Sequence, residues 1–74
     1  MDIEIRLFAT LRNGRDKKVF IPFVEGITAK AIIDKLEILE EDVAILLING
    51  RDGDLNTQLK SEDYLSIFPP VGGG

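Results

Sequence analysis

The sequence predicts a one-domain α+β fold, a mixed sheet of four to five strands with one main helix packed on one face. Three observations predict it. Two N-terminal stretches alternate apolar with polar residues, the pattern of half-buried strands. One central stretch gathers its apolar residues on a single helical face. Two short aliphatic runs between turn signals complete the sheet. With 74 residues there is room for one core, and a helix on a mixed sheet is the natural two-layer packing for so few elements.

The first strand is read from Ile3, Ile5 and Leu7, which alternate with Asp2, Glu4 and Arg6. Asn13-Gly14 is a turn signal, and Val19, Ile21 and Phe23 then repeat the alternation. Pro22 has no N–H to give a ladder, so this second strand belongs at a sheet edge. Thr28 suits a helix N-cap, with Ile27 and Ile32 placed as a hydrophobic staple. Ala29, Ile32, Ile33 and Leu36 share one face of a helix expected from Ala29 to Glu37. Glu40-Glu41-Asp42 makes a charged turn. Val43 through Ile48 is an unbroken aliphatic run, which predicts a strand covered on both faces. Asn49-Gly50 and Asp52-Gly53-Asp54 reverse the chain, Leu55 and Leu59 pin a crossing segment to the core, and Ser61-Glu62-Asp63 turns into a last strand from Tyr64 to Phe68. The first and last strands are expected to be parallel neighbours at the centre. That order is the ubiquitin-like β-grasp arrangement.

Composition narrows the chemistry. Without cysteine there is no disulfide, thiolate metal site or cysteine nucleophile. Without histidine the chain lacks the side chain best suited to proton transfer near neutral pH. Ser61 and Ser66 therefore have no imidazole to activate them. The net charge of −4 disfavours a nucleic-acid partner. Arg12, Arg15, Lys17 and Lys18 cluster early, whereas Glu37, Glu40, Glu41, Asp42, Asp52, Asp54, Glu62 and Asp63 make the second half acidic and suited to a basic partner. Asp52-Gly53-Asp54 lacks the ligand spacing of an EF-hand, so no metal site is expected. No apolar run approaches the about 20 residues of a membrane span, and no leader pattern begins the chain. A cytoplasmic protein without membrane contact is expected.

The chemistry is expected at the end of the sequence. Residues 1–70 are read as the folded domain and 71–74 as a flexible, projecting tail. Pro69 and Pro70 favour extended backbone, and Val71 offers one apolar anchor. Gly72, Gly73 and Gly74 let the backbone enter a channel too narrow for side chains. A free carboxylate is a poor electrophile. Converted by ATP to an acyl-adenylate it gains a good leaving group, and a persulfide sulfur displacing AMP leaves a thiocarboxylate. The same glycines also fit an ordinary frayed terminus.

Three segments carry a family resemblance: Arg6-Leu7-Phe8-Ala9-Thr10-Leu11-Arg12, Leu47-Ile48-Asn49-Gly50, and Leu65-Ser66-Ile67-Phe68-Pro69-Pro70-Val71 leading into the glycines. The chain resembles the MoaD/ThiS family of sulfur carriers over nearly its whole length. The first and last segments are similar to the MoaD branch, the small subunit of molybdopterin synthase. The resemblance implies that a MoeB-like enzyme adenylates Gly74 using ATP. A sulfurtransferase then makes the thiocarboxylate, and a MoaE-like large subunit spends its sulfur on the dithiolene of the pterin cofactor for molybdenum or tungsten. It implies a non-catalytic carrier with no bound cofactor, and Phe8, Arg12 and Phe68 facing partners. Core or edge packing is the other reading of the two phenylalanines, and a solvated loop charge that of Arg12. Two departures stand out: Gly72 occupies a position often non-glycine in the MoaD branch, and Ser61-Glu62-Asp63 replaces a common Asp-Gly-Asp turn. The Val-Gly-Gly-Gly end is similar to many ThiS proteins, which feed thiazole synthesis. A ubiquitin-like modifier, with a lysine amine attacking the activated glycine, and an inert interaction module are the remaining alternatives.

Overall fold

A computed structural model describes residues 1–12 and 14–70; Asn13 and the expected tail, with Val71, Gly72, Gly73 and Gly74, lie outside the described residues. The described residues form β1 (Asp2–Leu7), β2 (Lys18–Pro22), α1 (Ala29–Lys35), β3 (Ile45–Ile48), β4 (Arg51–Asp52) and β5 (Tyr64–Phe68). Short 3-10 turns occupy Ala9–Arg12 and Glu40–Asp42. The strands make one sheet in the order β2-β1-β5-β3-β4. β1 and β5 run parallel, and the other pairs are antiparallel. This is the ubiquitin-like β-grasp fold, with β2 at an edge where Pro22 costs no ladder bond.

Alternation decides which face is dry. Ile3, Ile5 and Leu7 of β1 and Leu65 and Ile67 of β5 are fully buried. Register sets Ile5 beside both Val19 and Leu65, and sets Ile67 beside Leu7 and Leu46. Ala29, Ile32 and Ile33 of α1 close over this layer, joined by Ile27, Ile38 and Leu59. A second face has no helix among the described residues to cover it.

The helix start is fully accounted for. The Thr28 hydroxyl accepts from the Ala31 N–H at 3.2 Å, satisfying an end-of-helix donor. The neighbouring Lys30 N–H donates to the Leu55 carbonyl at 2.9 Å, and the Leu59 N–H donates to Ile27 at 2.8 Å. The crossing segment thereby serves as part of the cap. Gly53 within it lies so close to Ile48 that an added Cβ would come to 2.6 Å from that side chain, so only glycine fits there.

The helix stops at Lys35, two residues short of the expected Glu37. Glu37 takes a left-handed conformation with φ 60. The Ile38 N–H donates to Ile33 at 2.9 Å and the Glu37 N–H to Asp34 at 3.1 Å. Those two bonds are a Schellman motif, with Ile38 packed into the core behind it. Arg15 completes the end. Its guanidinium donates to the Leu36 carbonyl at 3.2 and 3.3 Å, to Glu37 at 3.3 Å and to Leu11 at 3.4 Å. A cation there also opposes the negative end of the helix dipole.

β3 departs from expectation too. It begins at Ile45 rather than Val43, because the Glu40–Asp42 turn takes Val43 as its C-cap. It is covered on one face only: Leu46 is buried while Ile45 is 50% exposed. Lying antiparallel between β5 and β4 over a single helix, it can leave its other face open. Asn49 and Gly50, at φ 54 and 81, form the two-residue hairpin turn to β4. The Asn49 side chain also accepts from the Tyr64 N–H at 3.0 Å and donates to Asp63 at 2.7 Å, fastening the start of β5.

Two substitutions read the helix end separately in urea unfolding. Glu37→Gly removes left-handed strain and raises stability by about 0.5–1 kcal/mol. Arg15→Ala strips the cap and lowers it by about 1–2 kcal/mol.

Candidate functional site

The parallel pairing of β1 with β5 brings Leu7 beside Ile67, so the residues that follow them, Phe8 and Phe68, emerge side by side. Their rings stack with centroids 4.2 Å apart and an interplanar angle of 9°. Both are half-buried. Ala9 turns the chain immediately afterwards with φ 53, a conformation that alanine rarely takes, and the Ala9–Arg12 turn folds Arg12 back. The Arg12 guanidinium carbon sits 5.6 Å from the Phe8 ring centroid, and its Nε donates to the Leu7 carbonyl at 2.9 Å. Thus Phe8, Arg12 and Phe68 form one continuous constellation.

The rest of the uncovered sheet face extends from it. Ile45 of β3 pairs with Phe68 in register, and Phe20 of β2 pairs with Glu4. Both are exposed, Phe20 at 56%. Between these apolar ends lies a polar centre that the sequence did not disclose. Arg6 donates to Glu4, and its guanidinium carbon stacks 4.3 Å from the Tyr64 ring centroid. Glu4 and Arg6 share a face through their spacing of two, a visible signal, but Tyr64 joins them only through the β1–β5 register. Hydrogen bonding from Arg6 holds the Glu4 carboxyl below its ordinary value, and the Arg6 guanidinium is raised by the same bond to Glu4.

The chain end begins beside this surface. Pro69 is buried and Pro70 exposed. Both border an open groove with Thr10, Leu11, Arg15, Glu37, Ile38 and Asp42. Val71, Gly72, Gly73 and Gly74, expected to carry the chemistry, follow directly in sequence and are outside the described residues. Among the described residues no group of acidic side chains is arranged to hold a metal ion. No helix among them is long and apolar enough to cross a membrane.

Known proteins share this fold. The sequence matches the ThiS family over residues 5–74. Structurally it is similar to SAMP1 from Haloferax volcanii, with a TM-score of 0.78 and 25% identity over 100% of both chains. It is also similar to a chain in the complex of subunits 1 and 2 of molybdopterin-converting factor from Helicobacter pylori 26695, with a TM-score of 0.65 and 34% identity over 100% of both chains. A curated relative is the alanine–tRNA ligase of Aliarcobacter butzleri (strain RM4018), 37% identical over 67 residues. That match takes in 80% of this chain but only 8% of the ligase.

The Glu4–Arg6 pair has a defined pH signature. The Arg6 hydrogen bond makes the folded Glu4 carboxyl titrate below the ordinary carboxylate value, so its contribution to stability is complete above the ordinary carboxylate range and is lost as pH falls through the lowered value. An NMR titration of the Glu4 side-chain carbonyl checks this. Arg6→Gln returns the midpoint toward the ordinary value.

Proposed function

The chain belongs to the ThiS family, and from that premise we propose that it is a sulfur carrier whose Gly74 carboxyl becomes a thiocarboxylate. The observation that carries the reading is that the family match runs through residue 74, glycine run included. The sequence has neither cysteine nor histidine, so the reading assigns activation to partner enzymes and presentation to this chain.

In the proposed cycle a MoeB-like enzyme joins the Gly74 carboxylate to the α-phosphorus of ATP and releases pyrophosphate. The persulfide sulfur of a sulfurtransferase then attacks the acyl carbon and AMP leaves. A thiol cleaves the resulting acyl disulfide, leaving the thiocarboxylate. Glycine at 72, 73 and 74 gives this thread the narrowest cross-section a peptide can have, which suits entry into an enclosed adenylation site. The stacked Phe8 and Phe68, with Arg12 against them, are the proposed contact for those enzymes. Half-buried aromatics beside an arginine are residue types enriched at protein interfaces.

The destination of the sulfur is proposed as the dithiolene of molybdopterin, with this chain the small subunit beside a MoaE-like large subunit. The 34% identity to a chain of the molybdopterin-converting factor complex supports that choice over thiazole synthesis, as ThiS-like carriers perform it. A second reading, conjugation of Gly74 to lysine amines, is favoured by the likeness to SAMP1. Conjugates of this chain in cell extracts, persisting under reduction, distinguish it.

Incubation with ATP, a MoeB-like enzyme and a sulfur donor should raise the intact mass by the exchange of one oxygen for sulfur. A variant with one residue added after Gly74 should show no gain. An unchanged mass in the parent chain, under conditions that load an authentic carrier, overturns the reading.

A further inference from the structure

We propose that the groove between β1, the start of β2 and the Ala9–Arg12 turn is a docking site for an extended acidic segment of a protein partner. The groove is lined by Arg6, Leu7, Phe8, Arg12, Lys17 and Lys18. It shares Phe8 and Arg12 with the enzyme contact proposed above and rests on that reading, to which it adds Lys17, Lys18 and the chemistry of the segment they hold.

Backbone geometry gathers these cations. The Leu7 N–H donates to the Lys17 carbonyl at 2.8 Å, and Arg6 lies directly opposite Lys18 in the antiparallel register. Like charges placed directly across a ladder are destabilising, so this pairing works against the fold. Glu4 offsets it in part, being the carboxylate that bonds Arg6. Among the described residues Lys17, Lys18 and Arg12 have no ion-pair partner. Arg12 uses its Nε on the Leu7 carbonyl, which holds the guanidinium in place while its terminal nitrogens make no bond to the described residues. A fixed guanidinium fork is matched to a carboxylate.

Charge complementarity names the occupant. The protein carries −4 overall, yet this groove concentrates four cations around one aromatic ring. A partner segment with carboxylates would be attracted here and repelled by Glu37, Glu40, Glu41 and Asp42 elsewhere, which selects both place and orientation. An extended chain presents alternate side chains to one side. Glutamates can therefore meet Arg12, Lys17 and Lys18 while an apolar neighbour lies on Phe8. A polyanionic nucleic acid fits less well, because the overall negative charge opposes it and one ring provides no stacking platform.

The test titrates the isotopically labelled full chain with a synthetic peptide of alternating glutamate and leucine, followed by amide NMR. Separate arms use the lysine–leucine counterpart, inorganic phosphate and a uridine oligoribonucleotide. Shifts should centre on Arg6, Phe8, Arg12, Lys17 and Lys18 with the glutamate peptide alone, and weaken as salt rises. Lys17→Glu combined with Lys18→Glu should cost about tenfold or more in affinity. Arg12→Gln should weaken binding at a temperature where the variant is fully folded, its lost bond to the Leu7 carbonyl lowering the thermal midpoint separately. Equal binding of the lysine peptide, a stronger response to phosphate or RNA, shifts centred elsewhere, or unchanged affinity in the charge variants overturns the proposal. None of these outcomes bears on thiocarboxylate formation, so failure of this proposal is distinguishable from failure of the carrier reading.

Discussion

The parallel ladder between β1 and β5 is the constraint from which the rest follows. It pairs the first strand with the last, so both finish at the same end of the sheet. A connection of this kind needs a crossover on one face, and α1 supplies it. The same parallel sense delivers Phe8 and Phe68 to one place, where they stack. Were the two strands antiparallel, the ring that follows β1 and the ring that ends β5 would stand at opposite ends of the sheet. The patch and the root of the tail are adjacent because of strand direction.

A chain this short buries only roughly 60% of the surface its unfolded form exposes, which places weight on details at the element ends. A helix running only from Ala29 to Lys35 has little stability of its own. It is held by Thr28 at one end, by a Schellman motif and Arg15 at the other, and by the Leu55–Leu59 segment across its first turn. One such helix covers one sheet face. The uncovered face keeps Ile45 and Phe20 exposed with the Glu4–Arg6–Tyr64 cluster between them. Two apolar ends around a polar centre suit binding that is specific and reversible, since the central charges must find partners or remain wet.

Local signals were legible in the sequence. The alternation of Ile3, Ile5 and Leu7, the cap at Thr28, the edge position forced by Pro22 and the Asn49-Gly50 turn all rest on chemistry within a few residues. What escaped was set at a distance. Arg15 read as one of several surface cations, because its acceptors at Leu36 and Glu37 lie far along the chain. Glu37 read as helix, being a good helix former, because its left-handed conformation is imposed by the burial of Ile38. The run from Val43 to Ile48 read as doubly covered, since an aliphatic sequence does not state how many layers the fold has. Phe8, Arg12 and Phe68 were singled out by resemblance, but their stacking is a consequence of register alone. The glycines at 72–74 carry the largest functional weight and are argued from chemistry and family membership.

The central claim is that partner enzymes act on the acyl carbon of Gly74. An arylsulfonyl azide, which forms a stable amide with thiocarboxylates and leaves ordinary carboxylates untouched, tests it most directly on protein isolated from its own cells. Peptide mapping by mass spectrometry should place the label on Gly74 and nowhere else in the chain. A chain that stays unlabelled while other thiocarboxylates in the same extract react, or one that continues past Gly74, contradicts the account.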